Sequence, residues 1–228
     1  MAKLFLQRHF KSEWNKLDIW AGWCDNPLSD IGKAQAKEIA PLLSKETIDT
    51  AYSGALIRAT ETLLRIYDYI PERYPLFRYL NGGKMQKWAE FKDGSAGNYL
   101  PVFVSEELNE RYYGDLQGMN KADAKKKFGE EQVQKWRTSY NDAPHGGESG
   151  KDIYNRVLPF YQKHIEKDLK DGKNVLVVAS HHSLRAIVKY IEGISDDNMI
   201  NVELGFGSLT RYEFDSEMKL ISPKQFST

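Results

Sequence analysis

The chain has 228 residues, of which 41% are hydrophobic and 28% are charged, so it can bury a sizeable core and general disorder is excluded. Lysine plus arginine number 32 and aspartate plus glutamate number 32, which excludes a global charge that attracts nucleic acid or anionic lipid. The single cysteine, Cys24, excludes an internal disulfide framework and a cysteine-rich zinc site. No apolar run approaches the length of about 18 residues that a membrane span needs, so we expect a cytoplasmic protein with neither a membrane nor a nucleic-acid partner.

Short apolar runs alternate with helical patterns along the chain. The runs predict buried strands at residues 3–7, 50–53, 102–105, 174–180 and 209–214. Amphipathic patterns predict helices at residues 29–43, with Ser29 as the N-cap, and at 55–67, 129–140 and 151–169. This alternation predicts an α/β fold in three layers, with a mainly parallel central sheet between helices. We expect one domain over residues 1–228.

The segment from about residue 71 to residue 100 does not follow this alternation. It carries two prolines and four glycines among aromatic and charged residues, and a structureless loop of that length is uncommon in a compact domain. Two interpretations stay open: an inserted excursion or lid, and a surface loop without function. The segment precedes Glu110, so as a lid it would cover the mouth of a site there. Its Lys84, Lys87 and Lys92 are weak candidates for contacting an anion. The tail after residue 214 receives no role.

Two of the five histidines follow predicted strands directly. His9 comes after the first apolar run, and His181 comes after the run that ends at Ala179. The carboxyl ends of parallel strands are the edge at which open α/β sheets bind ligands. These two histidines therefore predict one shared site, whereas His164 is interpreted as a packing or surface residue.

Four arginines accompany these histidines in the sequence. Arg8 precedes His9, Arg185 follows His181 by four residues, and Arg58 and Arg111 lie near other strand ends. A guanidinium fork matches phosphate oxygens in a bidentate way, although a surface salt bridge is the usual role of a single arginine. Together with the histidines, the arginines predict a pocket for a phosphorylated anion.

An ordered series of motifs resembles one known family. Residues 8–15, Arg-His-Phe-Lys-Ser-Glu-Trp-Asn, resemble the Arg-His-Gly-Glu-Ser-Glu-Trp-Asn stretch of the cofactor-dependent phosphoglycerate mutases, which belong to the histidine phosphatase superfamily. The resemblance extends from about residue 3 to residue 214, apart from the insertion. The further matching stretches are residues 20–23, 53–62, 108–121, 129–137, 147–149, 156–159 and 183–186.

The resemblance implies a metal-independent phosphoryl transfer. His9 matches the histidine that carries the phosphoryl group, and Arg8 and Arg58 match the residues that hold this group. Glu110 matches the general acid and base, for which proximity to a dianion predicts a raised pKa. The primer would be 2,3-bisphosphoglycerate, and no metal is implied. The matching binding positions are Ser12, Asn15, Ala21, Gly22, Arg111, Tyr113, Lys121, Arg137, Ser180 and His182.

This chain departs from the family pattern at several of these positions. Phe10 replaces a glycine after the nucleophile, where a bulky ring is expected to narrow or reshape the pocket. The family's second histidine lies in His-Gly-Asn-Ser-Leu-Arg, and this chain has Ser180, His181 and His182 at the first three positions. His181 would replace the missing histidine only if the turn shifts by one residue. Ala21 and Thr138 each replace a residue that supplies a donor to the substrate.

Three functions remain in competition at this stage. The first is interconversion of 2-phosphoglycerate and 3-phosphoglycerate through a phosphohistidine, in glycolysis and gluconeogenesis. The second is a histidine-type phosphatase that acts on small phosphorylated metabolites. The third is a non-catalytic phosphoglycerate-binding protein. The resemblance also implies a homodimer or a homotetramer.

Overall fold

The computed structural model describes residues 1–91 and 97–226, and side chains as far as residue 221. Its strands are β1 (Ala2–Arg8), β2 (Thr50–Gly54), β3 (Tyr74–Tyr79), β4 (Tyr99–Ser105), β5 (Val175–Ala179), β6 (Leu209–Phe214) and β7 (Leu220–Phe226). Its helices are α1 (Glu13–Lys16), α2 (Asp30–Ala34), α3 (Ala36–Leu43), α4 (Ile57–Tyr67), α5 (Lys84–Trp88), α6 (Lys121–Phe128), α7 (Glu130–Thr138), α8 (Gly150–Phe160), α9 (Lys167–Lys170) and α10 (His181–Glu192). Within these described residues, no helix is both long enough and apolar enough to cross a membrane.

The strands form one sheet in the order β3-β4-β2-β5-β1-β6-β7. The neighbours from β3 to β1 pair in parallel, and β6 and β7 add antiparallel pairings at the other edge. β1 and β5 are neighbours in the middle, with Arg8 opposite Ala179. The residues after these two strands, His9 and the start of α10, therefore meet at one edge of the sheet.

Alternating side chains of the central strands enter two separate cores. Leu4 and Leu6 of β1 pack with α8, α9 and α10, whereas Phe5 between them packs with α3 and α4 on the opposite face. Successive side chains of a strand point to opposite faces, so a strand covered on both sides reads as one continuous apolar run. The prediction of a three-layer α/β/α fold with a mainly parallel sheet is confirmed.

All five predicted strands are present, and two further strands were not predicted. β3 lies inside the segment that breaks the sequence pattern, and β7 lies in the tail that received no role. Both are edge strands, so each gains ladder hydrogen bonds from only one neighbour and its apolar signal is weak.

The lid interpretation of residues 71–100 is wrong for the described part of this segment. β3 extends the sheet beside β4, and α5 follows it, but none of the described residues here lines the cleft that contains His9. Lys84 places its ammonium over the ring of Trp88, and Lys87 lies in the same short helix. Lys92 lies outside the described residues.

The predicted helices at 29–43 and 151–169 each contain an interruption. The Ser29 side chain caps α2 by accepting from the Gly32 amide at 3.1 Å, as predicted. The pattern then divides at Gln35 into α2 and α3. In the second helix a π-helical segment, Tyr161–Glu166, joins α8 to α9.

Candidate active site

A cleft of about 510 Å³ opens at the carboxyl ends of the central strands. His9 lies at its floor because β1 ends at Arg8, and the His9 amide donates to the carbonyl of Ala179 at 3.0 Å. The cleft also receives residues from the segment that follows β4 and from the first turn of α10. The predicted site residues that line it are Arg8, His9, Asn15, Ala21, Gly22, Arg58, Glu110, Arg111, Tyr113, Lys121, Arg137, His181 and His182.

His9 is held as a neutral imidazole. Its side chain is only 2% exposed, and Nδ1 lies 2.7 Å from the carbonyl oxygen of Phe10. A carbonyl oxygen only accepts, so Nδ1 carries the proton and Nε2 keeps its lone pair. Burial, reinforced by the positive charges of Arg58 and Arg8, lowers the pKa of His9 to about 3. The lone pair of Nε2 is therefore free for nucleophilic attack throughout the physiological pH range.

The lowered pKa of His9 predicts a loss of stability in acid. The folded pKa is about 3 and the unfolded value is 6.5, so between these values the unfolded chain binds a proton that the folded chain does not. Stability is full above pH 6.5 and falls as the pH decreases toward 3, by about 1.4 kcal/mol per pH unit. Urea unfolding at pH 7 and pH 4.5 should show wild type losing about 3 kcal/mol more than His9→Asn. Equal losses in the two proteins would contradict this assignment.

Two arginines flank His9, of which Arg58 is buried and Arg8 is partly buried. The Arg58 guanidinium donates to the carbonyls of Gly22 at 2.6 Å and Cys24 at 3.1 Å. Arg8 lies 3.7 Å from the centre of the Phe206 ring and also donates to the carbonyl of Leu204. Burial lowers the pKa of the Arg8 guanidinium to about 10, so it remains charged near neutrality. The two side chains place fixed positive charge beside His9.

The buried Glu110 pairs with the partly buried His182. Nδ1 of His182 lies 2.8 Å from Oε1 of Glu110, and the Arg111 amide donates to the same oxygen at 2.7 Å. Burial raises the pKa of the Glu110 carboxyl, but the His182 and His181 rings and the amide outweigh burial and hold this pKa well below its usual range. This lowered pKa holds for the protein without a bound anion, and the raised pKa expected beside a dianion stays a prediction.

His181, rather than Ser180, lies in the cleft. α10 begins at His181, and Ser180 is its N-cap residue, with a side chain that is 1% exposed and outside the cleft lining. Nη2 of Arg185 lies 3.2 Å from Nε2 of His181 and donates to it, which leaves the proton of the neutral ring on Nδ1. The binding role expected for Ser180 is corrected: the helix start presents the following residue to the site.

Two other expectations fail because side chains are used within the fold. Ser12 is fully buried as the N-cap of α1, where its hydroxyl donates to Oδ1 of Asn15 at 2.9 Å, and it does not line the cleft. Phe10 is 0% exposed and packs in the core on the α3 and α4 face. Its ring therefore does not narrow the pocket.

Arg111 borders the cleft, but its guanidinium is engaged by the backbone. It donates to the carbonyls of Glu148 at 2.5 Å, Trp136 at 2.7 Å and Asp142 at 3.1 Å. These bonds tie residues 136–148 to the segment that carries Glu110. Arg111 therefore braces the site wall, which corrects the expectation that it holds the substrate.

The outer part of the cleft carries a second group of positive charges. Lys121 pairs with Asp18, and both Lys121 and Arg137 lie 6.0 Å from the ring of Trp20. Tyr113 packs edge-on against Trp20 with ring centres 4.7 Å apart. Lys121, Arg137 and Tyr113 therefore line the same cleft as Arg8 and Arg58.

The segment before β6 also lines the cleft and was not predicted. Phe206 lies with its ring centre 5.8 Å from that of His9, and Glu203 approaches Arg185 at 3.7 Å. The sequence carried one signal, a phenylalanine between Gly205 and Gly207 directly before a predicted strand. A lone aromatic residue in a loop does not distinguish a cleft wall from a surface position.

Substitution of Gly114, which follows Glu110 in the chain, should strongly destabilise the folded protein. Its φ is +51°, and an added Cβ would lie 2.1 Å from the carbonyl oxygen of His145. Gly172 has φ of +84° with open space around it, so it is a matched control for backbone conformation alone. In urea unfolding, Gly114→Ala should lose about 3 kcal/mol or more and Gly172→Ala about 1 kcal/mol. Equal losses would mean that the approach of the His145 backbone is not constraining.

Comparisons with known proteins match this chain over nearly its whole length. The model of the histidine phosphatase superfamily (branch 1) matches residues 4–93 and 85–222. A 2,3-bisphosphoglycerate-dependent phosphoglycerate mutase of Methanococcus vannielii is 41% identical over 219 residues, which cover 95% of this chain and 92% of the relative. A phosphoglycerate mutase of Schizosaccharomyces pombe is 40% identical over 96% of this chain and 93% of its own length.

Solved structures share the fold at lower identity. A mycobacterial glucosyl-3-phosphoglycerate phosphatase in complex with VO3 superposes with a TM-score of 0.76 at 21% identity, covering 100% of this chain and 99% of that chain. An alpha-ribazole phosphatase from Shigella flexneri gives a TM-score of 0.71 at 21% identity, covering 95% of this chain and 92% of that chain. The chain belongs to the phosphoglycerate mutase family of the histidine phosphatase superfamily, branch 1.

Proposed function

We propose that this chain interconverts 2-phosphoglycerate and 3-phosphoglycerate by carrying the phosphoryl group on His9. The observation that supports this most directly is a neutral, buried imidazole at the cleft floor beside the guanidinium groups of the buried Arg58 and the partly buried Arg8. Relatives that are about 40% identical over almost the full chain bear the name phosphoglycerate mutase. We also propose a cytoplasmic location, which fits the single cysteine.

The cleft residues fit a bisphosphate primer such as 2,3-bisphosphoglycerate. Arg8 and Arg58 would hold one phosphate beside His9, and Lys121 and Arg137 would hold the other end. Guanidinium and ammonium groups are the donors that match phosphate and carboxylate oxygens, so the residues that line the cleft fit such a primer. When bound, the bisphosphate supplies the phosphoryl group that charges His9.

In the first transfer, Nε2 of His9 forms a bond to phosphorus as the bond from phosphorus to the glycerate oxygen breaks. Arg8 and Arg58 offset the charge on the phosphoryl oxygens. Glu110 delivers to the departing oxygen the proton that it has taken from a substrate hydroxyl in the opposite transfer. In the return transfer, Glu110 accepts a proton from the incoming hydroxyl, and the phosphoryl group leaves His9 for that oxygen.

The test follows 3-phosphoglycerate by phosphorus NMR with a trace of 2,3-bisphosphoglycerate. We expect 2-phosphoglycerate to accumulate to equilibrium, with a rate that depends on the primer. His9→Asn is the matched control and should leave the substrate unchanged. Release of inorganic phosphate without isomerisation would instead assign a phosphatase, and saturable binding without turnover would assign a non-catalytic binder. Either result would reject the proposal.

A further inference from the structure

The pairing of His182 with Glu110 departs from the family motif, which has asparagine at the position of His182. Both side chains lie in the cleft wall, and Nδ1 of His182 is 2.8 Å from Oε1 of Glu110. A carboxylate has no proton to donate, so the ring must donate through Nδ1–H. A titratable imidazole is thus in direct contact with the acid and base of the proposed reaction, on which this inference rests.

Hydrogen bonds made by neighbouring residues hold His182 and Glu110 in place. The hydroxyl of Ser183, the next residue in α10, donates to the carbonyl of Asn109, the residue before Glu110. The Arg111 amide donates to Oε1 of Glu110 from the other side. Both donors that reach this carboxyl within the described chain act on Oε1, and this leaves Oε2 as the oxygen available to the substrate.

We propose that His182 is a positioning residue for Glu110, which uses the Nδ1–H bond to direct Oε2 toward the oxygen that gains or loses the proton. In this arrangement the imidazole stabilises the carboxylate that remains after Glu110 has protonated the departing oxygen. The hydrogen bond also restrains rotation of the carboxyl, so the same oxygen serves both transfers.

Several other groups face the His182 ring. Tyr113 places its hydroxyl 3.4 Å from Nδ1, and the His181 ring packs edge-on with a centre-to-centre distance of 5.1 Å. Burial lowers the pKa of His182, and Glu110 opposes this shift. The ring therefore stays neutral near pH 7 and acts as a hydrogen-bond donor. The charged and titratable groups around it are Glu110, Tyr113, His181, Arg111 and Arg185.

Two substitutions at His182 separate hydrogen bonding from simple space filling. Asparagine places its side-chain N–H close to the position of the histidine Nδ1–H, whereas leucine fills similar space without a donor. His182→Leu should lower kcat roughly 10- to 100-fold, as expected for one lost bond to a charged group, with little change in KM. His182→Asn should recover most of this loss. In His182→Leu the acid limb of the pH profile should move to higher pH, because the Glu110 carboxylate loses a stabilising donor.

A second readout does not require turnover. Carbon NMR of protein with labelled glutamate side chains, assigned with Glu110→Gln, measures the titration of Glu110 directly. Its pKa should rise by about one unit or more in His182→Leu and by less in His182→Asn. The control is His145→Leu, which breaks an exposed histidine–carboxylate pair, with Nδ1 3.1 Å from Asp115, and should leave both readouts unchanged.

The proposal is overturned if His182→Leu leaves the Glu110 titration unmoved, or if asparagine is as damaging as leucine. A wild-type protein that fails to isomerise phosphoglycerate would reject the proposed function alone, since the carboxyl titration would still decide the role of His182.

Discussion

His9→Asn should abolish covalent phosphoryl labelling and lower turnover by roughly 10⁴-fold or more, the scale on which loss of a covalent nucleophile acts. Asparagine is chosen because its side-chain N–H can replace Nδ1–H in the bond to the Phe10 carbonyl, which is 2.7 Å long in the native chain. Asparagine has no equivalent of the Nε2 lone pair, which is the group proposed to attack phosphorus. Rapid-quench experiments with phosphorus-labelled 2,3-bisphosphoglycerate measure the labelled protein directly.

The pH dependence of this labelling provides an independent check. With the pKa of His9 lowered to about 3 by burial and by Arg58 and Arg8, the nucleophile is unprotonated from pH 5 to pH 8. The rate of labelling of the wild type should therefore show no decrease near pH 6.5 that arises from protonation of His9. The unfolding curve of His9→Asn at pH 7 should be close to that of the wild type. If this variant still acquired a stable label, the acceptor would be another residue and the assignment of His9 would be refuted.

Arg58→Met should lower kcat/KM by roughly 100- to 1,000-fold, which is the usual cost of one lost transition-state donor. The guanidinium is buried and held by the Gly22 and Cys24 carbonyls, so no solvent-exposed side chain can take its place easily. Methionine matches the aliphatic length of arginine without its charge. The measurement is steady-state isomerisation together with the single-turnover rate of His9 labelling.

Arg78→Met is the matched control for this experiment. Arg78 lies in β3, outside the cleft lining, with its guanidinium 4.8 Å from the centre of the Phe91 ring. Turnover should be unchanged in this variant. Arg58→Lys should recover only part of the activity, because a lysine ammonium lacks the planar fork that matches two phosphate oxygens. Full activity in Arg58→Met would exclude a role in stabilising the transferred group.

The elements that sequence reasoning missed share a physical cause. β3 and β7 are edge strands that are fixed by one neighbour each, so their residues need not form continuous apolar runs. The two interpretations left open for residues 71–100, an inserted excursion or lid and a surface loop, rested on composition, and composition does not reveal that residues 74–79 pair with β4. In both cases long-range strand pairing decided the outcome.

The site expectations divided along a similar line. Residue type and order predicted that His9 and Arg58 share one site, and the family resemblance added Glu110; all three line the same cleft. The directions of Phe10 and Ser12 were not predictable from type, because each is turned inward by packing or by a helix cap. The pKa of Glu110 depended on the donor at His182, which is 72 positions away in the chain.

The sequence by itself determined the alternating α/β order, the histidine at the end of the first strand and the resemblance to the family. These features are local: strand and helix periodicity, and short motifs whose residues are neighbours in the chain. Only the tertiary structure decided that α10 presents His181 and His182 to the cleft while Ser180 stays buried. It also decided that the Arg111 guanidinium donates to backbone carbonyls. Those outcomes depend on burial and on partners from distant segments, and neither quantity exists until the chain has folded.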